Sequence, residues 1–240
     1  MLNRLERALK GRSLAEIVRL GAKTLAYTVT SQFPAARRAR AATEAFDRRW
    51  GTETSGTRSL SRLELSVDRE RALHSVRYEP TSELLVERLI DRLGVDAGAW
   101  RFIDYGCGMG RVLLIAAMRP FAEVIGVEFA PELCAIAERN RDIVEGQSAL
   151  KAPIRVVNAD AGSWTPPPGP LVAYFYNPFD AALMAEVVAQ LEASWKAEPR
   201  PMRVLYVDPR HTVPWDASSV FRLAERTDGF AIYAASGAAE

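Results

Sequence analysis

Asp104-Tyr-Gly-Cys-Gly-Met-Gly110 is the stretch on which the fold turns. Its three glycines fall at alternate positions between a short strand-like stretch, Arg101-Phe-Ile-Asp104, and the continuous apolar stretch Val112 to Met118. The first run reads as a strand and Arg111 to Met118 as a helix, closed by Pro120. Glycine has no Cβ, so such a loop can turn sharply and bring its backbone against a ligand, and the helix that follows offers free N–H groups. The dinucleotide fingerprint G-x-G-x-x-G needs a third Gly or Ala for close packing. Counted from Gly106, that position holds Arg111. The spacing is therefore acid-x-G-x-G-x-G.

Outward from this loop, helical and strand-like stretches alternate. Thr81 can cap a helix from Ser82 to Leu93, with Leu84, Leu85, Arg88, Leu89 and Leu93 as its stripe. Further strands are expected at Glu123 to Glu128, Ile154 to Asn158, Leu171 to Tyr176 and Val204 to Asp208. Helices are expected from Pro131 to Val144 and from Ala181 to Trp195. Val220 to Arg226 and Phe230 to Ala234 read as a closing hairpin on a two-residue Asp228-Gly229 turn. The fold class is α/β: a Rossmann-like, doubly wound, seven-stranded and mostly parallel sheet with a C-terminal antiparallel hairpin and a helical N-terminal arm. Residues 1–75 are expected to form the arm and linker, and residues 76–240 the domain. Ligands in such sheets bind at the carboxyl ends of the strands.

Composition narrows the class further. Thirty-one Lys and Arg against 30 Asp and Glu leave a net charge of +1, with 48% apolar and 25% charged residues, which argues against disorder. Two cysteines, Cys107 and Cys134, cannot build a disulfide framework or a four-thiolate metal site, and favour a reducing, cytoplasmic setting. Both read as small core fillers rather than reactive thiols. No apolar run reaches the about 20 residues that a membrane span needs, and charges at Glu16, Arg19 and Lys23 interrupt any signal-peptide core.

Charge is unevenly spread: residues 1–50 carry eleven basic and four acidic side chains, a net +7, which leaves the remainder at −6. Leu2, Leu5, Leu9, Leu14, Ile17, Val18 and Leu25 recur at helical spacing, and Phe33-Pro34 marks a break. Three readings fit this arm: a helical segment packed on the domain, a peripheral contact with an anionic membrane, or a contact with nucleic acid or another acidic partner.

The stretch Asp104 to Gly110 closely resembles the first motif of class I S-adenosylmethionine (SAM)-dependent methyltransferases, and the similarity runs over roughly residues 78–208. The resemblance implies that Asp104, Gly106, Gly108 and Gly110 surround the methionine moiety of SAM. It implies that Glu128 holds the ribose hydroxyls and that Asp160, in Asn158-Ala-Asp160, contacts the adenine amine. A carboxylate can accept two hydrogen bonds from a diol or one from an amine. Each acid also has a plainer reading: Asp104 as a loop cap, Glu128 as a strand-end acid, Asp160 as the cap of a turn before Pro166-Pro-Pro168. The segment Arg77-Tyr-Glu-Pro-Thr81 resembles a pre-motif of some of these enzymes, among them small bacterial methyltransferases of unassigned substrate. That implies Tyr78 and Thr81 at the methionine end; a core tyrosine and a helix cap are the alternatives. Phe46-Asp-Arg-Arg-Trp-Gly-Thr-Glu-Thr54 looks like the arm of that same bacterial group.

Strand four ends in Tyr174-Phe-Tyr-Asn-Pro-Phe179. Amine methyltransferases of the superfamily often carry Asn or Asp, two prolines and an aromatic here. This chain has one proline, so its aromatic falls one residue early. The resemblance implies that Asn177 faces the methyl group of SAM, as a cofactor contact, and orients an acceptor nitrogen, with Tyr176 or Phe179 walling the pocket; the plainer reading is a strand ended by a proline turn, with the aromatics packing the core. His211, after strand five, is a candidate base or substrate contact, with a surface histidine as the plainer reading; His74 reads as structural. No cluster has metal-ligand spacing, so no metal is expected.

The function expected is methyl transfer from SAM, with S-adenosylhomocysteine as product, to a nitrogen of a protein or small molecule. A non-catalytic SAM-binding partner or sensor is the alternative. A nucleic-acid methyltransferase is a further one, which the arm favours and the acidic remainder disfavours. A nicotinamide oxidoreductase is opposed by Arg111.

Overall fold

The structure, a computed structural model, describes residues 34–55 and 81–236, with residues 34–40 given by backbone alone. Tyr78, His74 and the repeating leucines of the arm lie outside the described residues.

Seven strands form one sheet: β1 Arg101–Tyr105, β2 Glu123–Glu128, β3 Ile154–Asn158, β4 Leu171–Tyr176, β5 Met202–Val207, β6 Arg222–Arg226 and β7 Phe230–Ala235. Their spatial order is β3-β2-β1-β4-β5-β7-β6. The first five strands are mutually parallel and β7 runs antiparallel to β5, with β6 folded back beside it. The order reverses between β1 and β4, so the loops after these two strands meet at the switch point of the sheet.

The helices are α1 Pro34–Trp50, α2 Glu83–Arg92, α3 Arg111–Ala117, α4 Pro131–Glu145, α5 Ala181–Ala197 and the single turn α6 Val213–Asp216. Two layers of them need two apolar faces, and the strands supply both. Phe102, Val124, Val172, Tyr174 and Leu205 point into one core with Leu113 and Val86. Their neighbours Ile103, Ile125, Ala173, Phe175 and Tyr206 point into the other, with Val187, Leu191 and Trp215. That alternation is the period-two geometry of a strand buried on both faces. α1 sends Phe46 into the first core, and the stretch before the expected break at Phe33-Pro34 lies outside the described residues. The end of the arm thus packs on the domain.

The structure corrects three local expectations. The buried face of α2 is Val86, Leu89 and Ile90 with Leu93 beyond it, whereas Leu84 and Leu85 are exposed. Ser82, not Thr81, occupies the cap position and gives no side-chain bond; Thr81 is buried. The β6–β7 connection is not a primed two-residue turn, because neither Asp228 nor Gly229 has positive φ. The Thr227 side chain accepts from the N–H groups of Gly229 and Phe230 instead. No helix among the described residues is long and apolar enough to cross a membrane.

Gly126 lies inside β2, where glycine is otherwise unfavourable. A Cβ there would lie 2.6 Å from both Cys107 Sγ and a Leu113 methyl, so the bare backbone lets the glycine loop and α3 sit down on the sheet. Gly126→Ala is expected to cost about 1–3 kcal/mol of folding stability by overpacking. Urea denaturation reads this, and an unchanged midpoint would contradict the close approach.

Candidate functional site

The β1–α3 loop is set by three left-handed glycines: Gly106 at φ 80°, Gly108 at 54° and Gly110 at 85°. Side-chain-bearing residues rarely hold that region, and here it recurs at every second position. The loop is also pressed on two sides. A Cβ on Gly106 would meet Pro178 at 2.8 Å, and one on Gly110 would meet Ala137 of α4 at 3.0 Å. The N–H groups of Gly106 and Cys107 both donate to Val127 O, at 2.8 and 3.2 Å, which ties the loop to the end of β2. The Asn177-Pro178-Phe179 corner after β4 therefore touches the glycine loop directly.

Glu128 closes β2 and is 5% exposed. Its carboxylate accepts from Gly108 N–H at 3.0 Å and from Ala130 N–H at 2.9 Å. Burial raises its pKa, against the opposing pull of the backbone N–H groups of Ala130, Gly108 and Phe129. Asp104, at the same edge, is also buried. Desolvation pushes its carboxyl well above the usual range, and the neighbouring Glu128 charge adds to the effect. Two buried acids side by side are costly without a cation or donor to face them. Cys107 and Cys134 are buried and free, with burial raising both thiols, Cys134 to about 12. Both are fillers, as their positions in the sequence imply.

Asp160 lies two residues beyond β3. Its Oδ1 accepts from Gly162 N–H at 2.9 Å, and its carbonyl accepts from Trp164 N–H at 3.0 Å. The turn-capping reading is therefore correct for one oxygen of this residue, at a strand end that still faces the same edge. Thr81 is buried with its hydroxyl beside the Tyr174 phenol, which burial raises above its ordinary pKa.

Asn177 and Asp208 follow β4 and β5, whose last paired residues are Tyr176 and Val207. Both adopt left-handed backbone, at φ 40° and 47°, although neither is glycine. Backbone strain of this kind concentrates at functional sites. Asn177 Nδ2 donates to Asp208 Oδ2 at 3.4 Å, a long contact that fixes which end of the amide faces the carboxylate. Asn177 Oδ1 is buried and has no hydrogen-bond partner among the described residues. A buried acceptor in that state is a place for a donor from a bound molecule. Tyr176 is half-buried on the first core, and Phe179 is buried on the second. His211 is half-buried one strand away, its backbone N–H donating to the Tyr206 hydroxyl at 3.2 Å.

The topology thus brings Asp104, the glycines, Glu128, Asp160, Asn177 and His211 to one edge of the sheet. Sequence reasoning passed over Asp208, which also pairs with Arg210 at 2.9 Å. Its signal was an acid before Pro209 at a strand end, but left-handed backbone in a non-glycine residue leaves no mark in the sequence. It also passed over Arg111 as more than an obstacle to one motif; that side chain is 2% exposed and reaches into the arm.

Asp104 gives a measurable pH dependence. Its folded pKa lies above its unfolded value, so stability is greatest below the unfolded pKa and is lost as pH rises toward the folded one. Asp104→Asn removes that loss. Its melting temperature is expected to match wild type near pH 4 and exceed it increasingly at higher pH, the stability gap widening by up to about 1.4 kcal/mol per pH unit. A difference that does not change with pH would contradict the raised carboxyl.

No family model matches the chain, and no curated protein matches it. Solved structures do resemble it at low identity. A candidate methylase from Clostridium difficile 630 has 15% identity over 68% of this chain and 54% of its own, with a TM-score of 0.48. The chain thus spans about half the length of that protein. A candidate methyltransferase from Escherichia coli has 21% identity over 66% of this chain and 90% of its own, with a TM-score of 0.49. An RNA methyltransferase from Salinibacter ruber, solved with S-adenosylhomocysteine, has 21% identity over 68% of this chain and 95% of its own, with a TM-score of 0.41. The architecture itself, a Rossmann-like seven-stranded sheet with an antiparallel β7, is fixed by strand order and register.

Proposed function

We propose that the chain is a SAM-dependent methyltransferase acting on a nitrogen of a protein or small molecule. The observation that carries this reading is Glu128, a buried carboxylate bonded to Gly108 N–H beside three left-handed glycines at the switch point of the sheet. The donor set fits the cofactor. Two buried acids suit a ligand with cationic sulfonium and ammonium groups. Glu128 would hold the ribose diol, Asp160 the adenine amine, and the bare backbone of Gly106 to Gly110 the methionine moiety, with Thr81 at its far end.

SAM supplies a methyl group already activated on sulfur, so the protein's task is alignment. Asn177 does this at the acceptor side. Its Nδ2 is anchored on Asp208, which leaves Oδ1 to accept from an amine N–H and turn the nitrogen lone pair toward the donor. Tyr176 and Phe179 would exclude water around it. His211 would be the base that takes the proton the nitrogen sheds. Arg111 argues for this cofactor over a nicotinamide: it stands where the dinucleotide fingerprint needs a small residue, and its side chain is occupied by the arm.

Two substitutions test the two halves. Glu128→Ala is expected to weaken S-adenosylhomocysteine binding by about 1–3 kcal/mol, and an unchanged dissociation constant refutes the ribose role. Asn177→Ala is expected to keep that affinity while lowering transfer of tritiated methyl from SAM to acceptors in a cell extract by about 10- to 100-fold. Equal loss of binding and transfer would make Asn177 a cofactor residue. Binding by wild type with no transfer to any extract fraction would favour a non-catalytic sensor.

A further inference from the structure

The segment Phe46 to Thr54, singled out in the sequence and given no role so far, is built into the far side of the glycine loop. Asn140 of α4, 1% exposed, joins the two. Its Nδ2 donates to Met109 O of the loop at 2.9 Å and to Glu53 O of the arm at 3.0 Å, while its Oδ1 accepts from Glu53 N–H at 2.8 Å. One residue past the loop, Arg111 donates to Thr43 O at 2.8 Å and Ser55 Oγ at 3.2 Å, lies 3.7 Å from Asp47 Oδ1, and stacks 4.6 Å over the Phe46 ring.

The arm turn is shaped for this contact. The Asp47 carboxylate accepts from the Thr52 and Thr54 hydroxyls, at 2.8 and 2.6 Å, and from the N–H groups of Thr54 and Ser55, at 2.9 and 2.6 Å. Gln147 Nε2 donates to Trp50 O, and a Cβ on Gly51 would meet Ile143 at 3.7 Å. The turn therefore runs from Gln147, just past the end of α4, along one face of that helix past Ile143 to Asn140, toward the edge of the sheet that carries the site.

We propose that Asn140 and Arg111 are positioning residues that make the cofactor-binding conformation of the glycine loop depend on the docked arm turn 47–55. This rests on the SAM reading of that loop. The physical basis is that Met109 and Arg111 flank Gly110, whose φ is 85° and whose own N–H and C=O bond only within the loop and α3, to Cys107 O and from Leu114 N–H. Undocking the turn strips Asn140 of two partners and Arg111 of its buried ones, and leaves both groups to be resolvated beside the loop. Loop order and arm docking then share one equilibrium, so a ligand that orders the loop must also tighten the arm, by reciprocity.

The test uses the full chain as wild type, Asn140→Asp and Asp47→Ala. Asn140→Asp keeps the acceptor for Glu53 N–H and loses both donated bonds; Asp47→Ala dissolves the turn without touching the sheet. Each is titrated with S-adenosylhomocysteine, and amide exchange over residues 41–55 is followed with and without it. In wild type the ligand is expected to slow exchange across residues 50–55. Both variants are expected to bind at least about tenfold more weakly and to lose that ligand-dependent protection. A contact that only stabilises the fold would leave exchange at 50–55 insensitive to ligand. Wild-type binding with equal affinity in the variants overturns the coupling and leaves the cofactor reading standing. No binding by wild type overturns the cofactor reading, and the coupling with it. Should Asn140→Asp fail to fold, Asp47→Ala decides.

Discussion

Left-handed backbone at Gly106, Gly108 and Gly110 has to fit a space bounded by β2, α4 and the Pro178 corner, and the rest of the site depends on that fit. Side chains are excluded from this loop for two separate reasons. The φ values penalise any Cβ, and at Gly106 and Gly110 a Cβ would also collide with a neighbour. Because the loop is narrow, its N–H groups can reach Val127 O and the Glu128 carboxylate. Because Pro178 lies against its other side, the adjoining Asn177 is held at a fixed position relative to it. Gly126 belongs to the same constraint from below, where a missing side chain lets Cys107 and Leu113 settle onto the sheet.

Around that loop the structure accepts unfavourable electrostatics and backbone strain. Asp104 and Glu128 are buried together, Asn177 and Asp208 hold left-handed backbone without being glycine, and Asn177 keeps an unmatched carbonyl oxygen. None of these features stabilises the isolated chain. The buried acids and the unmatched oxygen would be relieved by the same kind of guest: one with positive charge near the acids and an N–H donor near Asn177. The far side of the loop shows the opposite character. Asp47 collects four hydrogen bonds, which outweigh the desolvation of its carboxyl and hold its pKa below the ordinary value. Arg111 and Asn140 spend most of their capacity on the arm.

The parts legible in the sequence were those governed by local rules. Sequence pattern gave β2, β3 and β4 with the bounds observed; β2 and β4, buried on both faces, read as nearly continuous apolar runs, and β3 is a half-buried edge strand. Glycine spacing located the loop, and the acids at strand ends followed from the parallel topology. Tertiary packing governed the rest. The exposed Leu84 and Leu85 look like core residues in isolation, and only the docking direction of α2 shows that Val86 and Ile90 are the buried ones. The Asn177–Asp208 contact joins strand ends 31 residues apart, and Asn140 meets Glu53 across 87. Neither pairing has a local signature. The fingerprint mismatch at Arg111 was visible, but the arm that occupies its guanidinium was not.

Calorimetric titration of the full chain with SAM and, separately, NADH tests the central claim most directly. The account predicts one saturable SAM site in the micromolar range and no heat from NADH. Binding of NADH, or of neither ligand, would contradict it and remove Glu128 from the role given to it here.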